Sequence, residues 1–600
     1  MLSPPKSSAT LHQRDRLAIG GVAVALLLIS GVGLSWLFVP TQLHQLAKLS
    51  KLEYHEDGYR QLPLALTATR LLGLRLALGA AVVIGLGGWL AIGRRAAQSI
   101  GPQLQRAIGQ LRRSWQRLPA RIQSGALLLL GLVLAARLYH VVAYPLSTDE
   151  IASFDYFVHR GPRVIFSYYP IPNNHLLYNL LAWPLSLTQL SPLLVMRLPT
   201  YVLGAISLTL TLGLLGRVAG WRRALIVTAL TGLAPLSVYY GAVGRGYGLQ
   251  LGMVQLGFFA VLELLRPASG YRQLAWATLM LSSVAGLLLV PSYAYPLAAL
   301  LLGLAGGLCR DRNWPTLGSL ALAALAIGLV TLLLYSPIGA VSGWDRLLAN
   351  RYVAGRAGPQ FWAGFRPRLY EVAVELFGQS VRISGPLWLA IALLGGVISG
   401  HMAPGERRQA ALLAWLLVAL PIGLLVAQRV FPLARVLLYV PWAAGVWLLL
   451  GLPRLKSTGL ARQWAMPIAL VSLVGLNLDS LSRRKPELRG SQRETRLVQQ
   501  AFTWLRYVAR PGTPAPVVGL QAPIHELFFA HYLLLQPRPA LRLVSYRTQQ
   551  PDRRYDYIIL THAAAAAGSR VLSPYIASYS DTLVTIYTNP TPRQQPARVH

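Results

Sequence analysis

Pro145-Leu146-Ser147-Thr148-Asp149-Glu150-Ile151-Ala152-Ser153-Phe154-Asp155 follows directly on a long apolar run, Ser124 to Tyr144. Between Gly58 and Leu262 the chain carries three acidic residues, Asp149, Glu150 and Asp155, and all three lie in this stretch. A carboxylate beside a bilayer is costly to keep and is usually paired, solvated or functional. Two adjacent ones at the exit of an apolar run read as a site that handles protons or cations. The plainer alternative is a solvated pair that marks the end of a span.

Composition supports the membrane setting. The chain has 600 residues, 54% of them hydrophobic and 13% charged, which is too apolar for a soluble protein of this size. Several runs of about 18 or more apolar residues fit membrane spans. The fold class is therefore an all-α polytopic membrane protein. The formal charge of +36 comes largely from arginines between the runs, where basic residues set orientation and meet anionic headgroups. No base-reading motif and no soluble basic domain is present, so nucleic acid is not an expected partner. The single Cys309 excludes an intramolecular disulfide and a cysteine metal cluster. The first apolar run, 17–39, has the length of a span and no small-residue cleavage site, which reads as a retained helix.

Along the chain, spans are expected at about 17–39 and 71–92, then a basic link with Arg94, Arg95, Arg106, Arg112 and Arg113, then a span at 124–144. The positive-inside rule places that link in the cytoplasm and the acidic stretch outside. Residues 176–190 are apolar but short and broken by Pro184. If they crossed, Arg217, Arg222 and Arg223 would fall outside, so the segment is read as staying outside. Further spans are expected at about 195–216, 223–243, 248–265, 273–290, 293–308, 316–337, 386–400, 409–427, 433–452 and 464–481, thirteen in all. This divides the chain into two leading spans with their link (1–123), a core (124–481) with external loops 145–194 and 338–385, and an external C-terminal α/β domain (482–600). Strand-like runs at 517–520, 557–560 and 583–587, separated by turn residues, indicate the last of these.

Four constellations on the outer side carry chemistry. Asp149-Glu150 could supply a general base, since taking a proton from a hydroxyl needs a carboxylate within reach, or could help hold a divalent cation, a hard ion that prefers oxygen ligands. No cofactor motif accompanies the pair. Asn173-Asn174-His175, with Tyr178 and Asn179 one turn on, suits contacts to hydroxyls or phosphate; the alternative is an Asn helix cap and a solvated histidine. Arg245, between Gly244 and Gly246 and followed by Tyr247, can approach a phosphate with a fork of donors, or can snorkel at a helix end. Arg429 and Arg435 flank Phe431-Pro432-Leu433, and Arg435 falls slightly inside the bilayer boundary, where a cation needs an anionic partner; a lipid-linked phosphate would serve, as would an ordinary headgroup.

In order, Thr148-Asp149-Glu150 after a span, Asn173-Asn174-His175-Leu176-Leu177-Tyr178-Asn179, Arg197-Leu198-Pro199 opening a span that ends at Gly216-Arg217, and Ala234-Pro235 through Arg245-Gly246-Tyr247 resemble the GT-C membrane glycosyltransferases. The resemblance is to the branch of the protein O-mannosyltransferases and the lipid A aminoarabinose transferases. It covers roughly residues 124–265, with a later echo at Arg435 to Pro441. The family's usual His-Pro-Pro-Leu is here Asn174-His175-Leu176-Leu177, and two extra spans precede the core. The resemblance implies a GT-C-like bundle and an inverting sugar transfer from a polyprenyl-phosphate donor to a lipid, glycan or protein acceptor outside the cytoplasmic (inner) membrane. It makes Asp149 the base, with Glu150 orienting the acceptor or a cation. In that reading Arg245 and Arg435 hold the leaving phosphate, while Asn174 and His175 line the sugar site. The rivals are a flippase of lipid-linked sugars, which would more often show repeated halves, and a surface-polysaccharide ligase or polymerase.

Overall fold

The structure, a computed structural model, describes residues 8–56, 59–267, 269–348, 355–377, 394–399, 401–402, 405–451, 460–509, 515–537, 541–546, 555–562, 564 and 574–590. Among them, nine helices are long and apolar enough to cross a membrane. The segments Ala120–Ala143, Pro192–Ala219 and Trp314–Val341 have 24, 28 and 28 residues. At 1.5 Å per residue that is ~36–42 Å, enough for a hydrocarbon core of about 30 Å. Large apolar side chains face outwards along them, such as Leu128 (76% exposed) and Val142 (72%), as a lipid-facing surface requires.

The first helix, Ser8–Phe38, packs along the second, Ala68–Gly88. Small residues allow this close approach: a Cβ on Gly85 would meet the Leu28 backbone at 2.7 Å. The second helix continues through a π turn, Trp89–Gly93, into Arg94–Gln116. The basic link of the sequence is therefore helical and amphipathic. At the opposite end from the acidic stretch, Arg272 Nε donates to buried Asp15 at 2.6 Å and Nη2 to Thr316 at 2.7 Å, tying the leading helix to the core.

Other spans depart from continuous rods. Residues 223–243 form Trp221–Gly232 and then Pro235–Tyr240, because Pro235 lacks an N–H and its ring clashes with the preceding turn. The 433–452 segment is a 3₁₀ turn, Ala434–Leu437, followed by Val440–Gly451. The last span is helical over Leu460–Ser482. Of 386–400, only 394–399 falls within the described residues, and it is helical.

Residues 176–190 contain the helix Leu176–Ser186, of 11 residues. At ~16 Å it is too short to cross. Its flanks return to one end of the bundle: His175 is bonded to the Leu289 carbonyl, and Arg197 to Glu150.

In the C-terminal α/β domain a mixed five-stranded sheet forms. A short hairpin near the N-terminus supplies β1 (Glu53–Glu56) and β2 (Tyr59–Gln61). The C-terminal strands are β3 (Val517–Leu520), β4 (Arg542–Ser545), β5 (Tyr557–Thr561), β6 (Ile576–Ser580) and β7 (Val584–Thr588), in the order β4-β3-β5-β7-β6. β3 is parallel to β4 and β5, and β7 is antiparallel to β5 and β6. The parallel β3–β4 pair needs a crossover, and helix Pro523–Leu535 provides it. That helix packs against the acidic stretch.

Candidate active site

The acidic stretch folds as a short helix, Thr148–Ser153, and its start is written in the sequence. Ser147 caps it: the serine Oγ accepts from Glu150 N at 3.3 Å, while Glu150 Oε2 accepts from Ser147 N at 2.9 Å, a reciprocal capping box. This draws Glu150 inward, where it is fully buried. Arg197 meets it as a fork, with Nε to Oε1 and Nη2 to Oε2, both at 2.8 Å. Gly244 N donates to Oε1 at 2.8 Å. Burial alone would raise the Glu150 pKa, but the charge and hydrogen bonds of Arg197, with those of Ser147 and Gly244, outweigh it and hold the carboxyl below its usual range. The remaining donors of Arg197 go to the carbonyls of Val141, Tyr144 and Pro145, each at 2.8 Å. These include backbone oxygens that the end of a helix leaves without partners.

Asp149 lies one residue earlier and points the other way. Its side chain is 51% exposed, and Oδ2 stands 3.4 Å from Arg245 Nη2. Asn173 joins the two. Its Nδ2 donates to the Asp149 carbonyl at 2.9 Å, and its Oδ1 accepts from Arg245 Nη1. Arg245 is buried and its Nε has no hydrogen-bond partner. Tyr247 lies between two cations, with the Cζ atoms of Arg245 and Arg435 each 5.8 Å from its ring centroid, within cation–π range. Arg435 Nε is likewise unpartnered.

His175 packs edge-on to Tyr247 at 5.2 Å. Its Nδ1 lies 2.6 Å from the Leu289 carbonyl. A carbonyl only accepts, so Nδ1 carries the proton. Burial first, and then the Arg245 charge, push the His175 pKa well below its usual value, so the ring is neutral.

These groups open onto a cavity of about 660 Å³. Asp149, Arg245 and Arg435 supply its charges; Val290, Pro291 and Tyr295 form an apolar wall; Ile524 and Leu527 of the C-terminal domain form a roof. The roof is clamped by His531, whose Nδ1 lies 2.8 Å from buried Asp155 Oδ1. Among the described residues, Asp149 is the one carboxylate on this cavity, and no group of three or more metal-ligating side chains occurs. With the oxygens of Glu150 taken by Arg197, Ser147 and Gly244, the donor set does not fit a divalent cation.

The structure thus brings together Asp149, Asn173, His175, Arg245, Tyr247 and Arg435. Asn174 lines the cavity too, yet its amide is spent on the fold: Nδ2 donates to Ile165 O at 2.8 Å and Oδ1 accepts from Asn179 at 3.0 Å. Tyr178 is buried outside the cavity, donating to the Met196 carbonyl and accepting from Thr200 at 3.1 Å. Arg429 is exposed, at a positive φ of 53°, and is not part of the cavity wall. Arg197 was legible as the start of the Arg197-Leu198-Pro199 stretch that opens a span, but not as the partner of Glu150. The roof residues gave no local signal.

No family model matches the chain, and no curated protein matches it. Among solved structures it is similar to ArnT from Cupriavidus metallidurans bound to undecaprenyl phosphate, with 15% identity and a TM-score of 0.39 over 77% of this chain and 97% of that one. The apo state of that protein gives 14% and 0.40 over 78% and 98%. The arabinosyltransferase EmbB from Mycobacterium smegmatis gives 15% and 0.36 over 64% of this chain and 34% of that one.

Proposed function

We propose that this chain is an inverting membrane glycosyltransferase that moves a sugar from a polyprenyl-phosphate donor to an acceptor hydroxyl on the outer side of the cytoplasmic membrane. The observation that carries the reading is the half-exposed Asp149 facing Arg245 at 3.4 Å, on a cavity that also holds Arg435 and an apolar wall. A phosphodiester with a long apolar tail needs that combination of fixed cations and hydrocarbon-lined space.

Asp149 takes the acceptor hydroxyl's proton as its oxygen attacks the anomeric carbon. The bond from that carbon to the phosphate oxygen breaks, and its electron pair stays on the phosphate. Arg245 and Arg435 meet the charge that grows there, and donors fixed before the reaction are worth most against developing charge. Asn173 holds Arg245 in register with the backbone of Asp149. Glu150 is a positioning residue, because its oxygens are occupied by Arg197, Ser147 and Gly244. The neutral His175 and the Tyr247 ring shape the wall beside the two arginines.

The test is transfer from purified polyprenyl-phosphate sugars by the full chain in liposomes, read by mass spectrometry. Product from wild type, with transfer by Asp149→Asn lower by about 10²–10⁴-fold, supports the reading. No product from wild type with any donor, together with movement of the donor across the bilayer, would favour a flippase instead.

A further inference from the structure

A second cavity, of about 520 Å³, lies at the N-terminal end of the same short helix, where residues 144–148 line it. Tyr144, Tyr239, Glu375, Glu487 and Glu494 are among its walls. Thr148 and Ile524 line both cavities, so the two cavities adjoin at these residues. Asp149, the next residue after Thr148, faces the first cavity.

We propose that this second cavity is the acceptor site and that it takes a hydroxyl-rich saccharide without phosphate groups; this rests on the sugar-transfer reading above. Placement is the first argument. A group transfer needs the two substrates to meet at the base, and the second cavity shares Thr148 and Ile524 with the first, Thr148 being the residue next to Asp149 in the chain. Chemistry is the second. Glu375, Glu487 and Glu494 make no side-chain hydrogen bond or ion pair among the described residues, although the chain carries 56 Lys and Arg against 20 Asp and Glu. An ionised carboxylate is an acceptor only, and sugar hydroxyls are donors. Among the described residues Arg484 is the one basic residue on this cavity, so the three carboxylates leave it net negative and hostile to phosphate. The first cavity has the reverse balance. Shape is the third argument. Tyr144 and Tyr239 pack edge to face at 5.7 Å, offering flat apolar surface to a sugar ring beside the carboxylates. The two cavities therefore sort the substrates by charge: anionic donor on one side, uncharged or amine-bearing acceptor on the other.

The full chain in detergent is tested by saturation-transfer NMR with three probes: the tetramer of N-acetylglucosamine, the tetramer of glucosamine, and glucose 1-phosphate. At least one tetramer should receive saturation and the phosphate should not. Glu487→Gln/Glu494→Gln should weaken tetramer binding at least tenfold with an unchanged melting curve, since Glu487 is exposed and Glu494 partly so. Added undecaprenyl phosphate should not displace the tetramer. Binding by neither tetramer, binding unaffected by the double substitution, displacement by the lipid, or preference for the phosphorylated sugar would each overturn the proposal. Undecaprenyl phosphate affinity measured on the same samples separates the two readings. Its absence in wild type would sink the donor assignment while leaving the tetramer result to stand alone.

Discussion

Glu150 and Arg197 form a closed two-point contact at 2.8 Å with neither side chain exposed, while the neighbouring Asp149 stands half in solvent. Two adjacent carboxylates thus do different work, and substitutions should separate them.

Glu150→Gln leaves the Arg197 guanidinium buried against a neutral partner. Breaking a buried pair from one side costs on the order of 3–5 kcal/mol. The purified variant should melt well below wild type and give low yield. A melting curve that matched wild type would show that the pair is dispensable to the fold.

Asp149→Asn should leave the melting curve unchanged, because the side chain is half-exposed. Transfer should fall by about 10²–10⁴-fold, the usual contribution of a positioned base. Retained undecaprenyl phosphate binding would place the loss in the chemical step.

Arg245→Ala and Arg435→Ala should each weaken undecaprenyl phosphate binding by about tenfold or more, since a hydrogen bond to a charged group contributes roughly 1.5–3 kcal/mol. Arg429→Ala, on an exposed side chain away from the cavity, should leave affinity unchanged. Isothermal titration in detergent distinguishes these, and equal losses at all three positions would contradict the assignment.

Stability should depend on pH through Glu150. Its folded pKa lies below the ordinary value, so its contribution is present above the unfolded value of about 4.3 and is lost as pH falls through the folded one. Melting temperatures measured from pH 7 down to pH 3 should drop more steeply below about pH 4.3 in wild type than in Glu150→Gln.

Orientation can be read with an impermeant thiol reagent after Cys309→Ser removes the native exposed thiol. Gln189 and Gln105 are both exposed. In intact cells Gln189→Cys should be labelled and Gln105→Cys should not. The reverse result would invert the topology and move the cavity to the cytoplasmic face.

Much of this architecture was legible because hydrophobic run length and arginine placement are local signals. The short helix after His175 and strands at 517–520 and 557–560 follow from patterns within single segments. The rest depends on contacts far apart in the chain. Nothing near Glu150 announces that Arg197, 47 residues on, will occupy it. The roof at Ile524 and Leu527 comes from a crossover helix in another domain. β4 and β6 were missed because each is short and largely polar or exposed along one side. The break at Pro235 was visible as a proline, but a hydropathy window averages across it.

The pairing of Asp149 with Arg245 has a consequence for how the first cavity handles ions. Its lining supplies two guanidiniums and one carboxylate, an excess of one positive charge. A singly charged sugar phosphodiester lipid makes it electroneutral. In the proposed transfer Asp149 loses its charge to the incoming proton as the departing phosphate gains one, so the chamber stays neutral from bound donor to bound product. On this account release, and not chemistry, is the step at which charge must cross the chamber's mouth: the proton leaves Asp149, a doubly charged lipid slides away, and Arg245 takes the carboxylate back as its counter-ion.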